Sequence, residues 1–349
     1  MDITSSNSYK ETTAQYDALK KTFAYLTKER ERIVQAYKES GAGTIIFSGS
    51  GSSYEVSRSS AFSASLRLKE KPYALASGDI LVNEANYGPL LGDALLVLIS
   101  RSGSTSEVVY AAEIVKKQGG KVISVTCVKD SPLAAFSDVV LELPWAFDSS
   151  VCQTRTITNI YTANLLLIAF FSGDEKLIEE INSVIERGEE FIQKWIGPIQ
   201  TAAQGPWDFA VVLADGELQG IALEGALAFK EISDTRSNCH HLLDVRHGPI
   251  VGIDEDTLVI AALSPHDDKY QRDLINDILN RGAKVIVYSP EEIEPIEGVA
   301  LHVDSGLPLG FAASGIPFIF IPQMAALTHS AVLGNDPDKP KGLEPWIKL

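Results

Sequence analysis

Cysteine is scarce in this chain: three residues in 349, Cys127, Cys152 and Cys239, with no CxxC pair and no regular spacing. That excludes a disulfide-stapled scaffold and a thiolate zinc centre, and it suits a reducing compartment. Positive charge is also in deficit. There are 30 basic against 46 acidic residues, a formal charge of −16. Such a surface repels nucleic-acid backbones and anionic lipid, so neither partner is expected. No basic-then-apolar start precedes a small-residue cleavage site, so no export signal is expected and the chain reads as cytoplasmic. Long apolar runs are missing too: residues 165–171 and 316–327 are too short or too proline-broken to span a bilayer. What is present is an ordinary globular mixture, 45% hydrophobic and 22% charged, long enough for two domains.

Residues 1–42 carry apolar positions at helical spacing among many charges, and read as helix. Short β-branched runs at 44–47, 94–99 and 121–126 then alternate with helical segments such as 107–117. Strands alternating with helices imply a parallel sheet covered by helices. The second half repeats the scheme, with strand-like runs at 209–213, 257–263 and 284–288. The interval from Leu95 to Lys121 is 26 residues, and so is that from Leu258 to Lys284, which points to an internal duplication. The expected architecture is α/β: two tandem doubly wound, flavodoxin-like parallel-sheet domains behind an N-terminal helical segment. The expected bounds are 1–42 for that segment, 43–172 and 206–330 for the domains, 173–205 for a helical connector and 331–349 for an irregular tail.

Two loops in the first half share a design. Ser48-Gly49-Ser50-Gly51-Ser52-Ser53-Tyr54-Glu55 and Ser100-Arg101-Ser102-Gly103-Ser104-Thr105-Ser106-Glu107 each follow a strand and open a helix. Ligands of doubly wound sheets bind beyond the carboxyl ends of the strands. Glycine permits close backbone approach, and a helix start offers unpaired N–H groups to an anion. Ser52, Ser53, Ser100, Ser102 and Thr105 add hydroxyl donors, so a phosphate monoester fits. The plainer reading is a pair of capping boxes, Ser52 with Glu55 and Ser104 with Glu107. Two such loops in one domain, each richer in hydroxyls than a cap needs, favour the phosphate cradle. A dinucleotide fingerprint is weak, because no third glycine follows Gly49-x-Gly51, and neither loop has the Gly-Lys-Ser/Thr of a triphosphate site.

In the second half, 222–232 reads as a helix on which Glu224, Ala228 and Glu231 share a face. From spacing alone a charged pair is usually a solvated face. His247 sits in a turn, Arg246-His247-Gly248-Pro249, where a near-neutral side chain could move protons. His240 and His241 lack metal-ligand spacing and read as loop residues. The segment 148–159 leads into an apolar helix at 161–171. Cys152 there reads as a small buried apolar residue.

These segments, above all SRSGST at 100–105, ALEGALAFKEIS at 222–233, VRHGP at 245–249 and DEDTLVIAAL at 254–263, resemble the sugar isomerase (SIS) family from about residue 43 onward. The likeness is greatest to its tagatose-6-phosphate ketose/aldose isomerases and galactosamine-6-phosphate deaminase/isomerases, and extends to the isomerase part of glucosamine-6-phosphate synthase. It implies that Ser52, Ser100, Ser102 and Thr105, with Gly51 and Arg101 in the same loops, hold a sugar phosphate. Ser53 and Gln153, with Thr154 beside it, would touch the sugar. Glu231 would shuttle a proton between C1 and C2, with Glu224 nearby, and His247 would open the ring, often in a neighbouring subunit's site. A homodimer or larger homo-oligomer is implied, with no metal and no cofactor. No glutamine-dependent ammonia supply is expected.

Two departures narrow the reading. The synthase has a lysine where this chain has Ala228, and a Schiff-base lysine in the tail where this chain has Pro345; Lys339, Lys341 and Lys348 lie nearby without an assigned role. The second domain has Ser264-Pro265-His266-Asp267-Asp268 in place of the hydroxyl-rich loop, and Asp215 and Glu217 in the other, so one phosphate site per chain is expected. The leading reading is an aldose–ketose isomerase, or isomerase/deaminase, of a hexose or amino-hexose 6-phosphate. A fructosamine-6-phosphate deglycase and a non-catalytic sugar-phosphate sensor are the alternatives.

Overall fold

The computed structural model describes residues 2–265, 268–344 and 349. It divides into two compact units. The helix α1 (Asn7–Thr13) belongs with the later residues, and the unit holding the first sheet begins at Ala14.

That unit opens with α2 (Gln15–Ser40), which Gly41 ends in the left-handed conformation, φ 57°. Then follow β1 (Thr44–Gly49), α3 (Ser52–Arg67), β2 (Lys71–Ala76), α4 (Ser77–Val82), α5 (Glu84–Leu91), β3 (Ala94–Ser100), α6 (Ser106–Lys117), β4 (Lys121–Thr126), β5 (Val139–Glu142) and α7 (Arg155–Ser172). All five strands are parallel, in the order β2-β1-β3-β4-β5. β1 and β3 are buried along their whole length, which is why they read as continuous apolar runs rather than alternating ones. α3 carries no apolar stripe. Its buried Ser57 and Ser60 hydroxyls bond back to the Ser53 and Val56 carbonyls, and the Ser60 hydroxyl accepts from Asn164 of α7 at 2.8 Å. Small side chains thus let α3 lie closely on α7.

The helix α8 (Glu175–Ala202) leads into the second unit: β6 (Phe209–Leu213), α9 (Gln219–Ser233), β7 (Arg236–His240), β8 (Thr257–Ala262), α10 (Lys269–Leu279), β9 (Lys284–Ser289), β10 (Leu301–Asp304), α11 (Phe311–Phe318) and α12 (Phe320–Leu333). Its sheet runs β10-β9-β8-β6-β7, again all parallel, which is the order of the first sheet with each strand's counterpart in place. The 26-residue interval has a direct structural meaning. Leu95 is the register partner of Lys121, and Leu258 is the partner of Lys284.

Four strands escaped the sequence reading: β2, β5, β7 and β10. Each is the edge of its sheet. Edge strands are half-solvated and tolerate Pro72, Arg236 or Asn238, so they lack the apolar signature of central strands. His240 therefore closes β7 rather than lying in a loop. The first 42 residues are not one helix. A break at Ala14 separates α1 from α2, and the Asp338 carboxylate from the tail accepts the Asn7 and Ser8 amides at 2.7 and 2.8 Å. The apolar run at Phe311–Leu333 is longer than the sequence reading allowed, 23 residues, enough by length and composition to cross a membrane. Here α11 and α12 divide it, and 83% of its most apolar window is buried in the chain's own fold, as in a core helix.

Candidate active site

The two hydroxyl-rich loops leave the same end of neighbouring strands, since β1 and β3 pair in parallel with Ser48 opposite Leu98. This is where the strand order reverses, the crevice in which doubly wound folds bind ligands. In the first loop Gly51 adopts φ 57°, ψ −130°, which favours glycine. Its carbonyl accepts the Tyr54 and Glu55 amides at 2.8 and 3.2 Å. The amides of Ser52 and Ser53, at the first turn of α3, have no intrahelical acceptor. Both serines are buried, at 4% and 3% exposure, so any ligand there meets them with little competing water. At the strand end the Ser48 hydroxyl pairs with that of Ser77 at 3.0 Å, a contact the sequence did not suggest.

In the second loop the Ser100 hydroxyl accepts the Gly103 amide at 3.0 Å, and the Ser102 hydroxyl accepts the Ser104 amide at 3.1 Å. Each hydroxyl thus uses a lone pair on the loop and keeps its proton to donate outward. Thr105 precedes α6 and is half-buried. The capping boxes are absent. Neither α3 nor α6 has a side-chain cap bond, and α6 begins one residue later than that reading required. The serines are therefore not occupied with closing helix ends. Arg101 is 5% exposed; its guanidinium donates to the Asp148 carbonyl at 3.5 Å and stands 6.0 Å from the centre of the Phe147 ring. Its side chain ties the loop to the segment that carries Gln153.

That segment is set by Asp148, which sequence reasoning missed. Its buried carboxylate accepts the Thr154 and Thr156 amides, both at 2.8 Å, and pairs with Arg155 Nε at 3.4 Å. Gln153 and Thr154 are so fixed at the entrance of α7. Burial, then the nearby Asp148 charge, pushes the Cys127 thiol up to about 12, so it stays protonated. Residues Ser149–Cys152 belong to the other unit, where the Ser149 amide donates to Glu11 at 2.6 Å. Cys152 there is 1% exposed, as expected of a small apolar residue.

Glu224, Glu231 and His247 lie in the second unit. The solvated-face reading fails for Glu224, which is 1% exposed on α9, while Glu231 is half-buried two turns later. Ala228, between them, is also buried. His247 is exposed, just beyond a 3-10 turn (Leu243–Arg246), and its amide donates to Asp244 at 2.9 Å. Arg246 anchors this loop to Asp277 at 2.6 Å. The structure thus gathers the loop residues and Gln153 in one unit and the proposed proton carriers in the other.

The second sheet has no matching cradle among its described residues. Asp215 accepts the Leu242 amide at 3.1 Å and pairs with His241 at 3.0 Å, so a carboxylate stands after β6. Asp268 caps α10 through the Gln271 amide at 2.9 Å. A phosphate would meet like charge at both places. His266 and Asp267 lie outside the described residues, as do Pro345 and Lys348. Lys339 is largely exposed and stands 3.9 Å from Asp336. No group of three or more His, Cys, Asp or Glu among the described residues is placed to hold a metal.

The SIS domain model matches residues 40–170 and 207–305. A glutamine–fructose-6-phosphate aminotransferase (isomerizing) of Pyrobaculum aerophilum is 28% identical over 318 residues, 88% of this chain and 52% of that protein. The enzyme of the same name from Thermotoga maritima is 30% identical over 71% of this chain and 43% of that protein. The chain spans about half the length of these curated relatives. Among solved structures, tagatose-6-phosphate ketose/aldose isomerase from Escherichia coli superposes with TM-score 0.85 at 23% identity, covering 99% of this chain and 98% of that one. Glucosamine-6-phosphate deaminase from Thermotoga maritima gives 0.80 at 24%, covering 99% and 100%. With two matched segments, each built on one of the two parallel sheets, the chain belongs to the SIS domain family.

Proposed function

We propose that this protein is a phosphosugar isomerase acting on a hexose or amino-hexose 6-phosphate. The observation that carries the reading is the pair of glycine- and serine-rich loops at adjacent strand ends of the first sheet, each opening a helix. Helix-start amides and hydroxyls suit a phosphate ester without a lysine. Ser52, Ser100, Ser102 and Thr105 grip the ester, and Ser53 and Gln153 meet the sugar. His247 moves a proton between ring and hydroxyl oxygens to open the ring. Glu231 then takes the proton from the carbon beside the carbonyl. The released pair forms the enediolate double bond, the hydroxyl proton passes to the former carbonyl oxygen, and the same carboxyl returns the carbon-bound proton to the neighbouring carbon. Glu224, buried on the same helix, sets the field around Glu231. The chemistry needs a proton carrier and no cofactor. The working form is a homodimer or larger homo-oligomer, with exposed His247 serving a neighbouring subunit, and the cytoplasm supplies the substrate.

One observation favours a second reading. Ala228, buried between Glu224 and Glu231, leaves that face of α9 with carboxylates and no amine. A fructosamine-6-phosphate deglycase, working by carboxylate alone, fits that face. A pure sensor would have no use for Glu231 and His247. A panel of hexose, amino-hexose and fructosamine 6-phosphates, assayed for isomer, ammonia and free amine, separates these readings. Turnover of none of them, with intact phosphosugar binding, would leave the sensor.

A further inference from the structure

The second loop is held from the side of β4. The Cys127 amide donates to the Arg101 carbonyl, and the Leu133 amide donates to the Gly103 carbonyl, both at 3.0 Å. Across a trans peptide the carbonyl and the following N–H point in opposite directions. Anchoring the Arg101 carbonyl toward β4 therefore turns the Ser102 amide toward β1, whose own loop opens α3, while the Ser104 amide is held within the loop by the Ser102 hydroxyl. Between the two anchors stands Ser131. It is 5% exposed, and its hydroxyl has no hydrogen-bond partner among the described residues, an unfavourable state for a buried donor. Gly103, at φ 58°, lies directly against it. A Cβ at position 103 would stand 2.2 Å from Ser131 Oγ, 2.6 Å from Ser131 Cβ and 3.2 Å from Thr126 Cγ2. Ser131 is itself immovable, because Pro132 follows it and Leu133 is buried in the core with Val108, Ala111 and Ala112.

We propose that Ser131 is a positioning residue for the sugar phosphate: wedged against Gly103, it fixes the direction in which the second loop presents the Ser102 amide and hydroxyl. This rests on the phosphosugar reading and adds a residue that touches no substrate. It also explains why position 103 must be glycine, on grounds of space as well as backbone angle.

The test uses the full-length protein, with inorganic phosphate and a hexose 6-phosphate as probes in calorimetry, beside steady-state kinetics and thermal melting. Ser131→Ala should weaken both probes and raise KM by about three- to tenfold, on the order of one decade of affinity. Its kcat should be unchanged and its melting temperature no lower, because the buried hydroxyl has no bond to lose. Ser131→Cys, of similar bulk, should restore affinity. Gly103→Ala should weaken phosphate by more than about tenfold, and by clearly less in a Ser131→Gly background, where the space is opened. The proposal falls if Ser131→Ala binds phosphate as the parent does, if it lowers stability without changing affinity, or if the Gly103→Ala loss is the same with glycine at 131. If the parent protein itself binds neither probe, the phosphosugar reading fails instead, which separates the two outcomes.

Discussion

Truncating Ser102 to alanine tests the cradle most directly. The side chain is 9% exposed, and its oxygen already accepts the Ser104 amide at 3.1 Å, so its proton remains for a phosphate oxygen. A hydrogen bond to a charged group is worth about 1.5–3 kcal/mol, and each 1.4 kcal/mol is a factor of ten. The expected result is a rise in KM of about 10- to 150-fold for the phosphorylated sugar. The turnover number should be nearly unaltered, since phosphate is bound equally in ground and transition states. The inhibition constant of inorganic phosphate should rise in parallel. The melting temperature is the control, because losing the Ser104 contact alone costs about 1 kcal/mol. An equal loss on the unphosphorylated sugar, or an unchanged phosphate constant, would refute the reasoning, because only the ester is supposed to meet Ser102.

Glu231→Gln should abolish exchange of the sugar C1 or C2 hydrogen with deuterated water while phosphosugar binding is kept; retained exchange removes Glu231 from its role. His329 is 1% exposed and stacked on Trp207 at 3.6 Å, and burial lowers its pKa from 6.5 to about 4. The unfolded chain therefore binds more protons between these values, so the stability this group contributes is intact above pH 6.5 and is lost as pH falls toward 4. At pH 5 the loss is about 2 kcal/mol, read as a drop in the urea midpoint from pH 8 that His329→Phe should diminish; equal acid slopes in both proteins would contradict it. Asp338→Ala frees the Asn7 and Ser8 amides and should cost about 0.5–2 kcal/mol in denaturant unfolding, as a lost helix cap does. No change would mean that water replaces the carboxylate fully.

The central strands were legible in the sequence because burial on both faces demands uninterrupted apolar runs, as in residues 94–99 and 257–263. The duplication was legible because equivalent strand pairs keep equal spacing. The two loops stood out because glycine and serine in that density serve neither a strand nor a helix interior. The edge strands were not legible, since solvent on one side lets polar residues in. The apparent capping boxes misled, because a four-residue pattern does not reveal where a helix begins.

What the sequence by itself determined was therefore whatever depends on neighbours along the chain: periodicity, loop chemistry and strand spacing. Only the tertiary structure decided that Glu224 is buried, that Asp148 holds the Gln153 segment, that Asp338 caps α1, and that Ser131 stands against Gly103. Those facts join residues that are distant in sequence or whose burial is set by another element. Their physical cause is packing between segments, which leaves no mark in local composition.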